Sequence, residues 1–277
     1  MWKRFATGAL GIVVVIGVIE LVQQLVRHRV PDALGVGAVA AAALAAYVAH
    51  VHYVERRAVD ELALARLPQA AAGFVLGAGL FVTTMLVLSL LGVYRFVGFA
   101  SWQPLAQGFV VMIAAGVIEE LIFRGFVVRW VQSTAGTWIA IAVSALLFGA
   151  AHAANRGATP LSSAAIALEA GVLLSVAYVV SGNLWFPIGI HVGWNFTEGP
   201  VFGVAVSGND VAGALRGSVH GPDFLTGGAF GVEASIVAVI VCTLAAGGLW
   251  IGLHGKDRLR PPMWRGGIRR GLAGTVS

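Results

Sequence analysis

Glu119, Glu120 and Arg124 close an uncharged run from Phe109 to Ile118 in a chain where ionisable groups are scarce. An ionisable residue at membrane depth is costly, and it marks a functional hypothesis whose partner has to be named. Glu120 and Arg124 are four residues apart, so they share one helix face and can neutralise each other. Glu119 lies about 100° further round the helix and has no such local partner. A group elsewhere in the fold is expected to receive it.

Three more places set polar groups inside apolar runs. Phe148 to His152 ends one run, Glu169 sits midway along the next, and His191 and Asn195 lie in a shorter one. At i and i+4, His191 and Asn195 project from the same helix face. Together these residue types point to hydrolysis. The Glu119 carboxylate can hold and deprotonate a water, and His152 can share or relay the proton. His191 and Asn195 can donate hydrogen bonds to an oxyanion. Such a set cleaves an amide without a covalent intermediate.

The same residues admit blander roles. Glu119 could close an internal polar network, and His191 and Asn195 could be interhelical glue. Glu120 and Arg124 read as structural support, Phe148 as packing beside the site, and Glu169 as a hydrogen bond to a neighbouring helix. Glu119, His152 and His191 also make up the ligand count of a catalytic zinc site, but no His-Glu-x-x-His pair accompanies them.

The elements that must position these residues are membrane helices. The chain has 277 residues, 58% hydrophobic and 11% charged, against about 25% charged in a soluble domain. Apolar runs of spanning length recur along it. Eight spans are expected, at about 5–26, 34–51, 70–92, 106–128, 138–154, 161–180, 184–199 and 232–253, in one all-α bundle that forms a single domain over 1–277. The first is read as a retained helix rather than a cleaved signal. The Gly-rich 200–231 connection is expected to be a flexible loop or a re-entrant segment, and 254–277 a basic cytoplasmic tail. Transporter-type repeats are not detected. The lone Cys242 excludes an intramolecular disulfide and reads as packing.

With an even number of spans both termini share a side. Placing them in the cytoplasm puts thirteen Lys and Arg inside and five outside, or twelve inside once Arg124 is set within its helix. That bias fits the positive-inside rule. It accounts for the net charge of +5 through topology, with no nucleic-acid partner. The expected location is the bacterial inner (plasma) membrane, multi-pass, with the lipid bilayer as solvent.

The three motifs, Glu119-Glu120-x-x-x-Arg124, Phe148-x-x-x-His152 and His191-x-x-x-Asn195, occur in that order on separate spans. Together they resemble those of the CPBP family, which includes CAAX prenyl proteases of the Rce1 type and the Abi bacteriocin-processing or immunity proteins. By motif the resemblance covers about 106–200. It implies a glutamate-type intramembrane endopeptidase, generally metal-independent and without a cofactor, acting on a peptide or membrane-protein substrate. Glu119 and His152 would activate water, His191 and Asn195 would stabilise the oxyanion, and Glu120, Arg124 and Phe148 would support them. The alternative, from a different class, is a non-catalytic membrane interaction or immunity protein that uses the same polar groups for binding.

Overall fold

The computed structural model describes residues 2–253 and 258–263, so most of the expected basic tail lies outside the described residues. Each of the eight apolar segments is helical. They are α1 (Trp2–Val26), α2 (Asp32–Ala49), α3 (Pro68–Leu90), α4 (Gln103–Glu120) continuing into α5 (Arg129–Ala135), α6 (Thr137–Ala151), α7 (Pro160–Ile166) continuing into α8 (Leu173–Ser181), α9 (Trp185–Phe196) and, after the short α10 (Asp223–Thr226), α11 (Ile236–Gly252). Five segments are long and apolar enough to cross a membrane: Ala6–Val26, Asp32–Val54, Leu64–Leu90, Thr137–Ala154 and Pro160–Ser181. The other three depart from that standard for readable reasons. The α4 and α9 segments carry the charged and polar motifs, and α11 has 17 residues. Large apolar side chains such as Val13, Val75, Leu146 and Leu244 are exposed on the outside of the bundle, where lipid is their solvent. The fold is that of an all-α polytopic membrane protein.

Local chemistry sets the helix ends around the site. The α7 segment begins with a capping box: Thr159 Oγ1 accepts from the Ser162 N–H at 3.1 Å, and Ser162 Oγ accepts from the Thr159 N–H at 2.8 Å. Pro160 fills the first helical position, where no N–H is needed. Gly182, at φ +66°, ends α8 in the left-handed region that glycine enters without a Cβ penalty. Asn183 Oδ1 then accepts from the Phe186 N–H at 3.2 Å in the first turn of α9. A helix stop and a helix start thus fit within three residues.

In the core, α3 and α9 pack in backbone contact. Gly73 and Gly77 face Phe186 and Ile190, while Gly189 and Gly193 face Ala70 and Phe74. A Cβ at any of the four would collide with a carbonyl oxygen of the opposite helix. Small residues spaced by four let membrane helices approach to backbone contact, which replaces the hydrophobic drive that lipid does not supply. This contact fixes the rotation of α9 and so the direction of His191. On the other side of α9, Gly116 of α4 admits Val192.

One connection differs from expectation. The 200–231 stretch is neither a free loop nor a re-entrant helix. Its strand β2 (Leu215–Val219) pairs antiparallel with β1 (Tyr94–Phe99), in register from Tyr94↔Val219 to Phe99↔Leu215 with a bulge between Phe96 and Gly98. Gly217 allows the Tyr94 ring to lie over it, which a side chain there would prevent. The ribbon ties the α3–α4 link to the segment preceding α11. The opposite end of the bundle is held by ion pairs: Arg129 forks onto Glu55 at 2.7 and 2.6 Å, and Arg57 onto Glu61 at 2.8 and 2.6 Å.

Candidate active site

Glu120 is wholly buried and carries the scaffold of the site. Its Oε1 accepts from Arg124 Nη1 at 2.7 Å and from His191 Nδ1 at 3.0 Å. Arg124, also wholly buried, donates through Nη2 to the carbonyls of Ala170 and Gly171 at 3.0 and 3.1 Å. Those carbonyls belong to a π-helical stretch, Ala167–Val172, and a second one, Leu121–Val128, contains Arg124 itself. π-Turns are rare and cluster at functional sites. Here the widened turn presents main-chain oxygens to a wholly buried guanidinium. The guanidinium also lies 4.7 Å from the centre of the Phe148 ring, a cation–π contact in a desolvated place.

Glu119, one residue earlier, points elsewhere, as the helical angle requires. Its Oε2 is buried without a hydrogen-bond partner and faces two imidazoles, His152 Nε2 at 3.8 Å and His191 Nε2 at 3.9 Å. These separations are too long for direct hydrogen bonds and suit a bridging water. Both rings are fixed from behind. His152 Nδ1 lies 2.8 Å from the carbonyl oxygen of Phe148, so Nδ1 carries a hydrogen and donates it. His152 also stacks on the Phe148 ring at 4.7 Å. His191 Nδ1 is held by Glu120. In each case Nε2 is the nitrogen left to face Glu119.

Asn195 is nine-tenths buried, and its side chain makes no hydrogen bond among the described residues. Its amide lines a cavity of about 20 Å³ together with His152, His191, Glu169, Ser207 and Glu233. That volume is about one water molecule. The structure therefore brings His152, His191 and Asn195 to one small cavity that Phe148 also lines, with Glu119 facing the two imidazoles and Glu120 and Arg124 behind His191. Glu169 stands on the far wall and accepts from Cys242 Sγ at 3.7 Å, so the cysteine is packed but not purely apolar in its contacts. Sequence reasoning passed over Glu198 and Glu233, which belong to this end of the molecule. Both are buried, and their only sequence signal was charge beside an apolar run.

Fold and site together define a polytopic membrane protein whose helices enclose ionisable groups around a water-sized space. Residues 101–197 match the family model described as Type II CAAX prenyl endopeptidase Rce1-like. This stretch is thus similar to the CAAX/CPBP protease-like family, and all seven motif residues fall inside the matched region. Searches of curated proteins and of solved structures found no match.

Proposed function

We propose that this protein is an intramembrane endopeptidase in which Glu119 and His152 activate a water and His191 and Asn195 stabilise the oxyanion. The observation that carries this reading is the convergence of two Nε2 atoms on the unpartnered Oε2 of Glu119, at 3.8 and 3.9 Å. A water in that gap gives its proton to Glu119 as its oxygen attacks the peptide carbonyl carbon. The carbonyl π pair moves onto oxygen, where the Asn195 amide and His191 Nε2–H receive it. His191 can donate from Nε2 while Nδ1 donates to Glu120 only as an imidazolium. The charges of Glu119, Glu120, Arg124 and His191 then sum to zero, as a low-dielectric site favours.

In this proposal the reaction needs no metal. Glu119, His152 and His191 nevertheless have the donor types of a three-ligand zinc site, so metal content is the first control. The membrane concerned is the bacterial plasma membrane, with both termini in the cytoplasm. The site then opens towards the outer end of the bundle, beneath the 202–235 segment. The substrate class is a peptide or membrane protein.

The decisive experiment maps protein N-termini in membranes from cells carrying wild type, Glu119→Gln or a deletion. Glu119→Gln keeps size and hydrogen bonding but removes the base. An N-terminus present only with wild type establishes proteolysis and identifies the substrate. If Glu119→Gln restores the deletion phenotype as well as wild type does, the protein binds rather than cleaves.

A further inference from the structure

A second cavity, of about 600 Å³, lies at the end of the bundle that the Arg129–Glu55 and Arg57–Glu61 pairs hold. That size is ordinary for a small-molecule site. It is built where helices end: Thr7 and Gly8 near the start of α1, Trp130 and Gln132 in α5, and Gly182, which closes α8, all line it. Its charged lining is Arg57, Arg129 and Arg260 with Glu55, Asp60 and Glu61. Arg57 and Arg129 are engaged by the two glutamates. Arg260 is not, and two more arginines reach the same rim. Arg66 Nη1 donates to the Gly182 carbonyl at 2.9 Å, and Arg258 Nη1 comes within 3.2 Å of the point that a Cβ on Gly182 would occupy. Among the described residues Arg66, Arg258 and Arg260 form no ion pair, and neither does Asp60. The rim thus carries three uncompensated cations against one anion, an arrangement that favours a net anion between them. An apolar track begins beside it. Leu10, Val14 and Leu21 follow Thr7 at i+3, i+7 and i+14, on one face of α1, and all three are exposed on the outside of the bundle.

We propose that this cavity holds the headgroup of an anionic phospholipid, with its phosphate oxygens accepting from Arg258 and Arg260 and its acyl chains lying on the Thr7–Leu21 face of α1. Guanidinium matches phosphate because its N–H groups pair with two oxygens at once. Basic pockets between membrane helices are where anionic headgroups bind. Charge decides the lipid class: a rim with more free cations than anions selects a net anion over a zwitterion. A soluble phosphate shares the headgroup chemistry but leaves the apolar face of α1 unused. The bound lipid joins α1, the Glu55–Glu61 loop, α5 and the Arg258–Arg260 segment around Gly182. The next residue, Asn183, accepts from the first turn of α9. The cavity is separate from Glu119, and the inference does not rest on the endopeptidase reading.

The test is native mass spectrometry and thermal unfolding of the full-length protein in detergent, with dioleoylphosphatidylglycerol, dioleoylphosphatidylethanolamine or inorganic phosphate added. Wild type should bind one phosphatidylglycerol and melt at a higher temperature with it. Arg258→Gln and Arg260→Gln should each weaken that binding about fivefold. Arg95→Gln/Arg216→Gln, on the β1–β2 ribbon, should leave it unchanged. Both rim arginines are exposed, so their variants should melt with wild type when no lipid is added. Leu10→Gln, on the apolar track, should weaken lipid binding without altering the response to phosphate. Phosphatidylethanolamine bound as tightly as phosphatidylglycerol overturns the anionic selection. Equal affinity in wild type and both rim variants overturns the site, and so does an equal loss in the Arg95/Arg216 variant, which reduces the effect to general surface charge. If inorganic phosphate raises the melting temperature as much as the lipid does, with the same dependence on Arg258 and Arg260, the lipid is overturned as the source and the site takes soluble phosphate.

Discussion

His191 Nδ1 sits 3.0 Å from Glu120 Oε1, and the same imidazole turns Nε2 towards Glu119 Oε2 at 3.9 Å. One ring therefore connects the two adjacent glutamates, which the α-helix directs about 100° apart. Glu120 fixes the ring and Glu119 faces its free nitrogen, so the neighbouring carboxylates engage opposite sides of one imidazole.

Asn195 offers the cleanest test of oxyanion stabilisation, because its amide supports nothing else among the described residues. Asn195→Ala should lower kcat by about 10²–10³-fold and leave the melting temperature near that of wild type. Single-turnover cleavage of the mapped substrate measures the first, and thermal unfolding in detergent the second. A large stability loss would instead identify Asn195 as interhelical glue.

Arg124 should behave as a buried ion-pair partner. Arg124→Leu leaves the wholly buried Glu120 without its cation and should destabilise the protein by about 3–5 kcal/mol. The double variant Glu120→Leu/Arg124→Leu should recover much of that loss while staying inactive, since His191 loses its anchor. Chemical-denaturant unfolding of the three proteins checks this.

The α3–α9 contact should tolerate almost no added volume. Gly77→Ala or Gly193→Ala forces a methyl against the carbonyl of Ile190 or Phe74 and should cost about 1–3 kcal/mol. It should also reduce cleavage by displacing His191 and Asn195. Gly79, which has open space around it, is the control position: Gly79→Ala should cost no stability, since alanine favours the helix, and should leave cleavage unchanged.

Acid should first weaken the end of the bundle that Glu55 and Glu61 hold. Burial raises the Glu55 carboxyl, but hydrogen bonds and charge from Arg129 and Arg57 outweigh it and hold the group below its ordinary value of 4.5. Glu61, where burial is outweighed by hydrogen bonds from Arg57 and Tyr47, is likewise held below 4.5. A carboxyl depressed on folding contributes stability that is complete above its unfolded value and is lost as pH falls through the folded one. Thermal unfolding should therefore weaken below about pH 4.5. The fall should be shallower in Glu55→Gln/Glu61→Gln, which starts from a lower melting temperature at neutral pH.

Much of this was legible in the residues. Low charge and repeated apolar runs determined a helical membrane protein, because only helices and closed barrels satisfy the backbone in lipid. The four-residue spacings paired Glu120 with Arg124 and set His191 beside Asn195, because helical geometry is local. The same geometry placed Glu119 apart and called for a distant partner. Which groups answered it was decided only by the tertiary structure: the glycine contact of α3 with α9 aims His191, and the Phe148 carbonyl aims His152. The pairing of β2 with β1 and the contact of α3 with α9 join segments far apart in the chain. No periodicity encodes such contacts, since they arise from the packing of whole helices. Local spacing determined which side chains share a face, and helix packing decided which faces meet.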